Sequence, residues 1–261
     1  MTKTAFVAIV GKPNVGKSSL LNKMLGQKIA IVSSKPQTTR TKIMGVLTKG
    51  ETQLVFTDTP GFHKAHNKLG EKMNEAVGDT VGGVDACLFL TEPRGELNEQ
   101  ELQLLEMFKK QKMPVILAIN KIDMINDKEE LFKRIVYLTS LYDFTAVVPV
   151  SATEGDHVDE LIDELDKLAF ESPHFFPDDT LTDQPERVLA AEIIREKILR
   201  LMDKEIPHGI AVAVEKMRER DDKDILDIDA TIYCERESHK GMVIGKNGSM
   251  LKKVSTYACL L

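Results

Sequence analysis

Cysteine is scarce and scattered. Cys87, Cys234 and Cys259 are the only three in 261 residues. No Cys-x-x-Cys pair exists, which excludes a disulfide framework or a zinc cluster and fits a reducing compartment. Long apolar runs are also missing. No uninterrupted segment reaches the roughly 18 residues that would signal a membrane span, and the short apolar stretch near the N-terminus has no cleavage-site pattern. A cytoplasmic protein is expected. Excess positive charge is lacking too: 35 basic and 41 acidic side chains give a net charge of −6. Diffuse attraction to nucleic acid is thereby excluded, so any such binding needs a local basic patch. What is present is enough apolar material, 42% of residues, for a sizeable core in a chain whose length suits two domains better than one.

The chemistry sits in loops that follow apolar runs. Gly11, Lys12, Pro13, Asn14, Val15, Gly16, Lys17 and Ser18 stand directly behind Ala5 to Val10, so a strand feeds a glycine loop that opens into a helix, with Ser19 in its first turn. Gly11 and Gly16 let backbone N–H groups approach phosphate oxygens, Lys17 reaches the terminal phosphates, and the Ser18 hydroxyl can ligate Mg²⁺. The helix N-terminus favours the same anion. Asp58, Thr59, Pro60 and Gly61 follow a second run, Leu54 to Phe56, placing a carboxylate near the metal's water shell and a glycine N–H near the γ-phosphate, with Phe62 next in line.

Asn120, Lys121, Ile122 and Asp123 end a third run, and Ser151, Ala152 and Thr153 end a fourth. Guanine presents two donors, N1–H and N2–H₂, where adenine presents an acceptor, so the Asp123 carboxylate can select guanine by two parallel hydrogen bonds. The backbone around Ala152 would complete the pocket at guanine O6. Four such motifs, each at a strand's carboxyl end, specify a GTP site.

Apolar runs alternate with helical periodicity up to about Phe170, with helix starts at Lys17, Leu69, Asn98, Asp127 and His157. Two strands joined by Lys49-Gly50-Glu51 predict one antiparallel strand in a six-stranded, mostly parallel sheet with helices on both faces, an α/β P-loop domain over 1–172. Val158, Leu161, Ile162, Leu165 and Leu168 read as a core-facing helical stripe. Residues 173–185, rich in proline and acids, read as a linker whose Phe175-Phe176 pair packs between domains. A second, α+β domain over 186–261 opens with a helix, Glu186 to Met202, whose face is Leu189, Ile193, Ile194, Ile198 and Leu201. Two β-like runs follow, Ile210 to Val214 and Ile225 to Tyr233, separated by the charged residues from Arg218 to Lys223.

Acid disappears from Ser238 onward. That stretch holds Lys240, Lys246, Lys252 and Lys253 around Gly245-Lys246-Asn247-Gly248. A Gly-x-x-Gly loop between two helices can clamp a nucleic-acid backbone, because its glycines allow close approach while lysines and a helix dipole face phosphate. His63 and His66 lie in a polar stretch without a carboxylate ligand pattern and read as a solvated surface.

The motifs just quoted, together with Gln37-Thr38-Thr39-Arg40, Asp58 to His63, Ala191 to Lys197 and Met242 to Gly248, make the chain resemble the Era family of bacterial GTPases from end to end. The resemblance implies a Ras-like GTPase domain followed by a type II KH domain. It also implies a GTP-hydrolysing switch that binds the 3′ end of small-subunit ribosomal RNA and assists assembly of the 30S subunit, with some peripheral membrane contact, acting as a monomer. Mg²⁺ would be held by Ser18 and Thr39, with Thr38 the rival to Thr39, and by Asp58 through water. Lys17, Thr39 and Gly61 would act on the γ-phosphate. Phe62 stands where the best-known small GTPases carry a water-orienting glutamine, so slow intrinsic hydrolysis is expected. Asn14 would offer its amide oxygen to K⁺ between the phosphates, as in potassium-dependent relatives, or serve only as a turn residue. The family's last KH strand finds no counterpart before Leu261, which leads to the expectation of an incomplete domain with poor RNA discrimination. Two further readings stay open: a GTP-binding adaptor that does not hydrolyse, and a GTPase that acts on protein or membrane partners without RNA.

Overall fold

The computed structural model describes residues 1–33, 38, 43–59, 80–202, 209–221 and 223–259. They divide into two compact units, Met1–Ala30 with Thr39–Asp183, and Ile31–Thr38 with Gln184–Leu261.

The first unit runs β1 (Lys3–Val10), α1 (Lys17–Leu25), β2 (Ile43–Lys49), β3 (Thr52–Asp58), β4 (Ala86–Thr91), α2 (Glu99–Gln111), β5 (Val115–Ile119), α3 (Lys128–Leu141), β6 (Ala146–Pro149), α4 (Val158–Asp166) and β7 (Phe170–Glu171). The sheet order is β2-β3-β1-β4-β5-β6, with β7 on β1. From β3 to β6 every pairing is parallel, and β2 returns antiparallel on β3 through a turn in which Gly50 takes φ 62°. Side chains alternate across the strands. Ala5, Val7 and Ile9 of β1 therefore pack with α1 and α4 on one face, while Ala8 and Val10 pack with α2 on the other. Leu165 and Leu161 of α4 are fully buried, as the periodicity predicts. Burial of side chains such as Phe56, Phe89 and Phe108 stabilises the domain by about 2 kcal/mol each.

Three expectations change here. The sheet has seven strands, not six, because Phe170 and Glu171 pair antiparallel with Thr4 and Lys3. The segment read as a linker is held to the first unit: the N–H groups of Phe175 and Phe176 donate to Gln53 Oε1 at 2.8 and 3.0 Å, and Thr182 donates to the Met44 carbonyl. Gln53 is fully buried, so those N–H groups satisfy an acceptor that would otherwise be orphaned. Phe175 stacks edge-on against Phe6 of β1 at 5.1 Å, which assigns the aromatic contact to this sheet. The expected helix at Leu69 lies outside the described residues.

The second unit contains α5 (Glu186–Leu201), β8 (Ile210–Arg220), β9 (Lys223–Cys234), α6 (Glu237–Ile244) and α7 (Ser249–Ala258). β8 and β9 form an antiparallel hairpin with two register shifts. The break expected from Arg218 to Lys223 is shorter in the structure: Arg218 to Arg220 end β8 and Lys223 opens β9, and Arg220 forms an ion pair with Asp227 of the facing strand at 2.8 Å. Ile198, Met202, Ile210, Val243 and Val254 form the core. α5 buries Arg195 and Glu196 beside Ile198 and Leu199, whereas Leu189, Ile193 and Ile194 are only half-buried, because the two-stranded hairpin covers a narrower stripe than expected. Residues 31–38 join this unit: Arg200 donates twice to the Val32 carbonyl, at 3.1 and 3.0 Å, and Arg195 donates to the Thr38 carbonyl.

Candidate nucleotide site and Gly-x-x-Gly loop

The strand order changes direction at β1, which lies between β3 and β4, and loops at the carboxyl ends of these strands open a crevice there. Gly11 to Ser18 forms its floor. Gly11 takes φ 148° and a Cβ on it would meet the Leu90 carbonyl at 2.4 Å; Gly16 takes φ 104° and a Cβ would meet Asn120 Nδ2 at 2.2 Å. Both positions therefore require glycine. Asn14 adopts the left-handed conformation at φ 61°, and its carbonyl accepts from Lys121 Nζ at 2.9 Å. That geometry gives it a turn role, one that asparagine tolerates well. Pro13 and Val15 complete the loop, and Val15 is fully buried.

Lys17 is 6% exposed and folds back on the loop, donating to the carbonyls of Gly11 and Lys12 at 3.1 and 3.0 Å. Burial lowers its pKa to about 8, against the pull of Asp58 and Glu101. Ser18 Oγ donates to Asp58 Oδ2 at 2.6 Å, which brings together a hydroxyl and a carboxylate, the hard oxygen donors that suit Mg²⁺. Ser19 continues α1, and Thr59 is buried with its hydroxyl on the Ile9 carbonyl at 2.8 Å. Thr39, Pro60, Gly61, Phe62, His63 and His66 lie outside the described residues.

The base side is tied to the phosphate side. Asn120 Nδ2 donates to the Val15 carbonyl at 2.8 Å and its Oδ1 accepts from Ala152 N–H at 2.9 Å, so one amide joins three loops. Asp123 is exposed, with one carboxylate oxygen accepting from Ser151 Oγ at 2.6 Å. Thr153 lies in the turn that follows, exposed. The site can thus grip phosphates, hold a hard cation and select a base by paired acceptors.

Sequence reasoning missed two members. Glu92, directly after β4, accepts from Lys121 Nζ at 2.6 Å and pairs with Lys12. Burial alone would raise its pKa, but hydrogen bonds from Lys12 and Lys121 hold it below the usual carboxylate range. Arg134 of α3, 7% exposed, donates to the carbonyls of Glu92 and Gly95 and to Thr91 Oγ1. The signal for Glu92 was available: it ends an apolar run as the four recognised motifs do.

In the second unit Gly245, Lys246, Asn247 and Gly248 turn between α6 and α7. Gly245 has φ 72° and a Cβ would meet Met250 at 2.8 Å, while Asn247 and Gly248 take φ 52° and 76°. Gly248 caps α7, whose N-terminus faces the turn. Lys246, Lys252 and Lys253 are exposed, and Lys240 is paired only loosely with Glu237, at 3.4 Å.

Known proteins match both units. The family model for a 50S ribosome-binding GTPase matches residues 6–121, and the KH domain model matches 205–258. GTPase Era of Clostridioides difficile (strain 630) is 49% identical over 99% of this chain and 87% of its own length. GTPase Era of Ruminiclostridium cellulolyticum is 48% identical over 98% of this chain and 85% of its own. Among solved structures, Era in complex with MgGDPNP and nucleotides 1506–1542 of 16S ribosomal RNA superposes with a TM-score of 0.92 at 38% identity, covering 99% of this chain and 87% of that one. A single-residue variant of Aquifex aeolicus Era bound to GDP.AlF4⁻ gives the same score and identity, covering 98% and 87%. With a glycine phosphate loop in the first unit, a glycine-hinged KH turn in the second, and identity of nearly one half to these relatives, the chain belongs to the GTPase Era family of GTP-hydrolysing enzymes.

Proposed function

We propose that this GTPase is a switch that binds small-subunit ribosomal RNA near its 3′ end and assists assembly of the 30S subunit. The observation that carries the reading is the Gly245 to Gly248 turn, whose positive φ angles and flanking lysines form a backbone clamp. The 16S RNA held by the solved Era relative supports the identity of the ligand. Mg²⁺, present as MgGDPNP in that relative, fits Ser18 and Asp58 here, and Thr39 would join them. When bound, it supplies charge neutralisation at the β- and γ-phosphates. The chain's own part is to hold the phosphates with the loop amides and Lys17, and to hold guanine with Asp123.

The same reading includes K⁺ beside Asn14, so replacing K⁺ by Na⁺ at constant ionic strength is expected to slow single-turnover hydrolysis. Equal rates would leave Asn14 a turn residue. Action as a monomer with peripheral membrane contact rests on the family resemblance, and a cytoplasmic location on the sparse, unpaired cysteine pattern of the sequence.

The RNA assignment is tested by titrating a fluorescent oligonucleotide of the ribosomal 3′ tail, and a scrambled one, onto the chain. A preference for the tail is the outcome that the specific RNA reading requires, and it would set aside the poor discrimination expected from the sequence. Gly245→Val, which crowds Met250, should abolish that preference while GTP hydrolysis persists. Equal binding of both oligonucleotides would overturn the specific RNA reading and favour a partner-directed GTPase.

A further inference from the structure

Glu92 stands at the end of β4, the strand between β1, whose loop receives phosphate, and the base-recognising strand β5. Its two carboxylate oxygens are divided between two loops: one accepts from Lys121 at 2.6 Å, the other pairs with Lys12. Lys121 then continues to the Asn14 carbonyl at 2.9 Å, so the phosphate loop is reached from both ends of the cluster. The carboxylate cannot drift with its loop, because Arg134 fixes the backbone beneath it through the Glu92 and Gly95 carbonyls and Thr91.

We infer that Glu92 is a positioning residue of the nucleotide site, a single carboxylate that clamps Lys12 of the phosphate loop to Lys121 of the base loop and so sets the span between the two subsites. A guanine nucleotide must satisfy both subsites at once. Fixing their separation before binding spares the complex the ordering of two loops. Without the carboxylate, two ammonium groups face each other with nothing between them, and Lys121 loses one of the contacts that aim it at Asn14. The three side chains are 28 to 31% exposed, so solvent screens the cluster and the effect is moderate, about tenfold rather than complete loss.

The test is displacement of fluorescent GDP followed by stopped flow, on the full chain. Glu92→Gln is expected to speed dissociation about tenfold, and Lys121→Met to do so to a similar degree. The double variant should dissociate no faster than Lys121→Met alone, because both changes remove the same clamp. The ratio of GDP to IDP affinity should stay at the wild-type value, since Asp123 is untouched. The melting temperature of the nucleotide-free protein should also stay, as neither core cluster includes these residues; a residue that only supported the fold would lower it. Glu92→Asp keeps the charge but is one carbon too short to reach both lysines, and should give an intermediate rate. Wild-type dissociation in both Glu92 variants, or multiplying effects of Glu92→Gln and Lys121→Met, would overturn the assignment.

Discussion

Lys17 is held in the nucleotide-free protein at a cost that the nucleotide relieves. Its ammonium is buried against two carbonyls and its pKa is lowered to about 8 from an ordinary 10.5. In the unfolded chain the group keeps its proton almost to the ordinary value. Between about pH 8 and 10.5 the unfolded state therefore binds more protons, and stability of the nucleotide-free protein should rise across that window. Phosphate oxygens favour the charged form, so above about pH 8 nucleotide binding must draw a proton from solution. GDP affinity should be level from about pH 7 to 7.5 and fall from about pH 8 to 9, with proton uptake visible by calorimetry in buffers of different ionisation heat. A flat affinity profile would show that the phosphates do not meet this ammonium. A second residue-scale expectation concerns Asp123, whose carboxylate is oriented by Ser151 Oγ at 2.6 Å. Asp123→Asn exchanges an acceptor for a donor opposite guanine N2, so GTP affinity should drop by roughly 3 kcal/mol and xanthine nucleotide should become the better ligand. Fluorescent-nucleotide titration decides it, and equal GTP affinity in both proteins would refute the base assignment.

At the scale of elements, the sequence was legible where local chemistry alone decides the outcome. Asn98 begins α2 because its side chain accepts from Glu101 N–H at 2.8 Å while the Glu101 carboxylate accepts from Asn98 N–H at 2.9 Å, a capping box written in four consecutive residues. Asp127 caps α3 in a similar way through Glu129 N–H. The strand-end motifs were legible because Gly11, Asn120 and Ser151 each follow a strand and Asp58 ends one, a pattern that can be read along the chain. Elements that depend on distant partners were not legible. Strand β7 is two residues long and exists because Thr4 and Lys3 present a free edge there. The 173–183 segment is ordered by Gln53, more than a hundred residues earlier. The charged run at Arg218 reads as a break because charge usually marks a loop, yet Arg220 at its strand end reaches diagonally to Asp227, the register partner of Arg218, and supports the hairpin. Glu92 is divided between the two cases: its place at the end of an apolar run was legible, but its pairing with Lys12 and Lys121 joins three separate loops and was not.

At the scale of the whole molecule, the two compact units are not consecutive in sequence. Residues 31–38, which lead into the expected switch residue Thr39, group with residues 184–261. Their carbonyls at Val32 and Thr38 are held by Arg200 and Arg195, and Arg195 is itself 3% exposed and braced by Glu192 at 2.6 Å. Everything found to position phosphate and base, Gly11 to Ser18, Asp58, Asn120, Asp123 and Ser151, lies in the first unit together with both of its core clusters. A chain ending at Asp183 should therefore bind GDP within about threefold of the full chain, since loops with their own scaffold keep their geometry. It loses the arginines that hold the Val32 and Thr38 carbonyls, and ordering the chain around a γ-phosphate then costs more conformational entropy. Single-turnover GTP hydrolysis should accordingly slow by about tenfold, with GDP dissociation little changed. Quenched-flow hydrolysis and GDP displacement on the two chains separate the cases. If GDP binding collapses with the deletion, the nucleotide site depends on the second unit. If hydrolysis is unaffected, the grip of Arg195 and Arg200 on the 31–38 segment has no part in the switch.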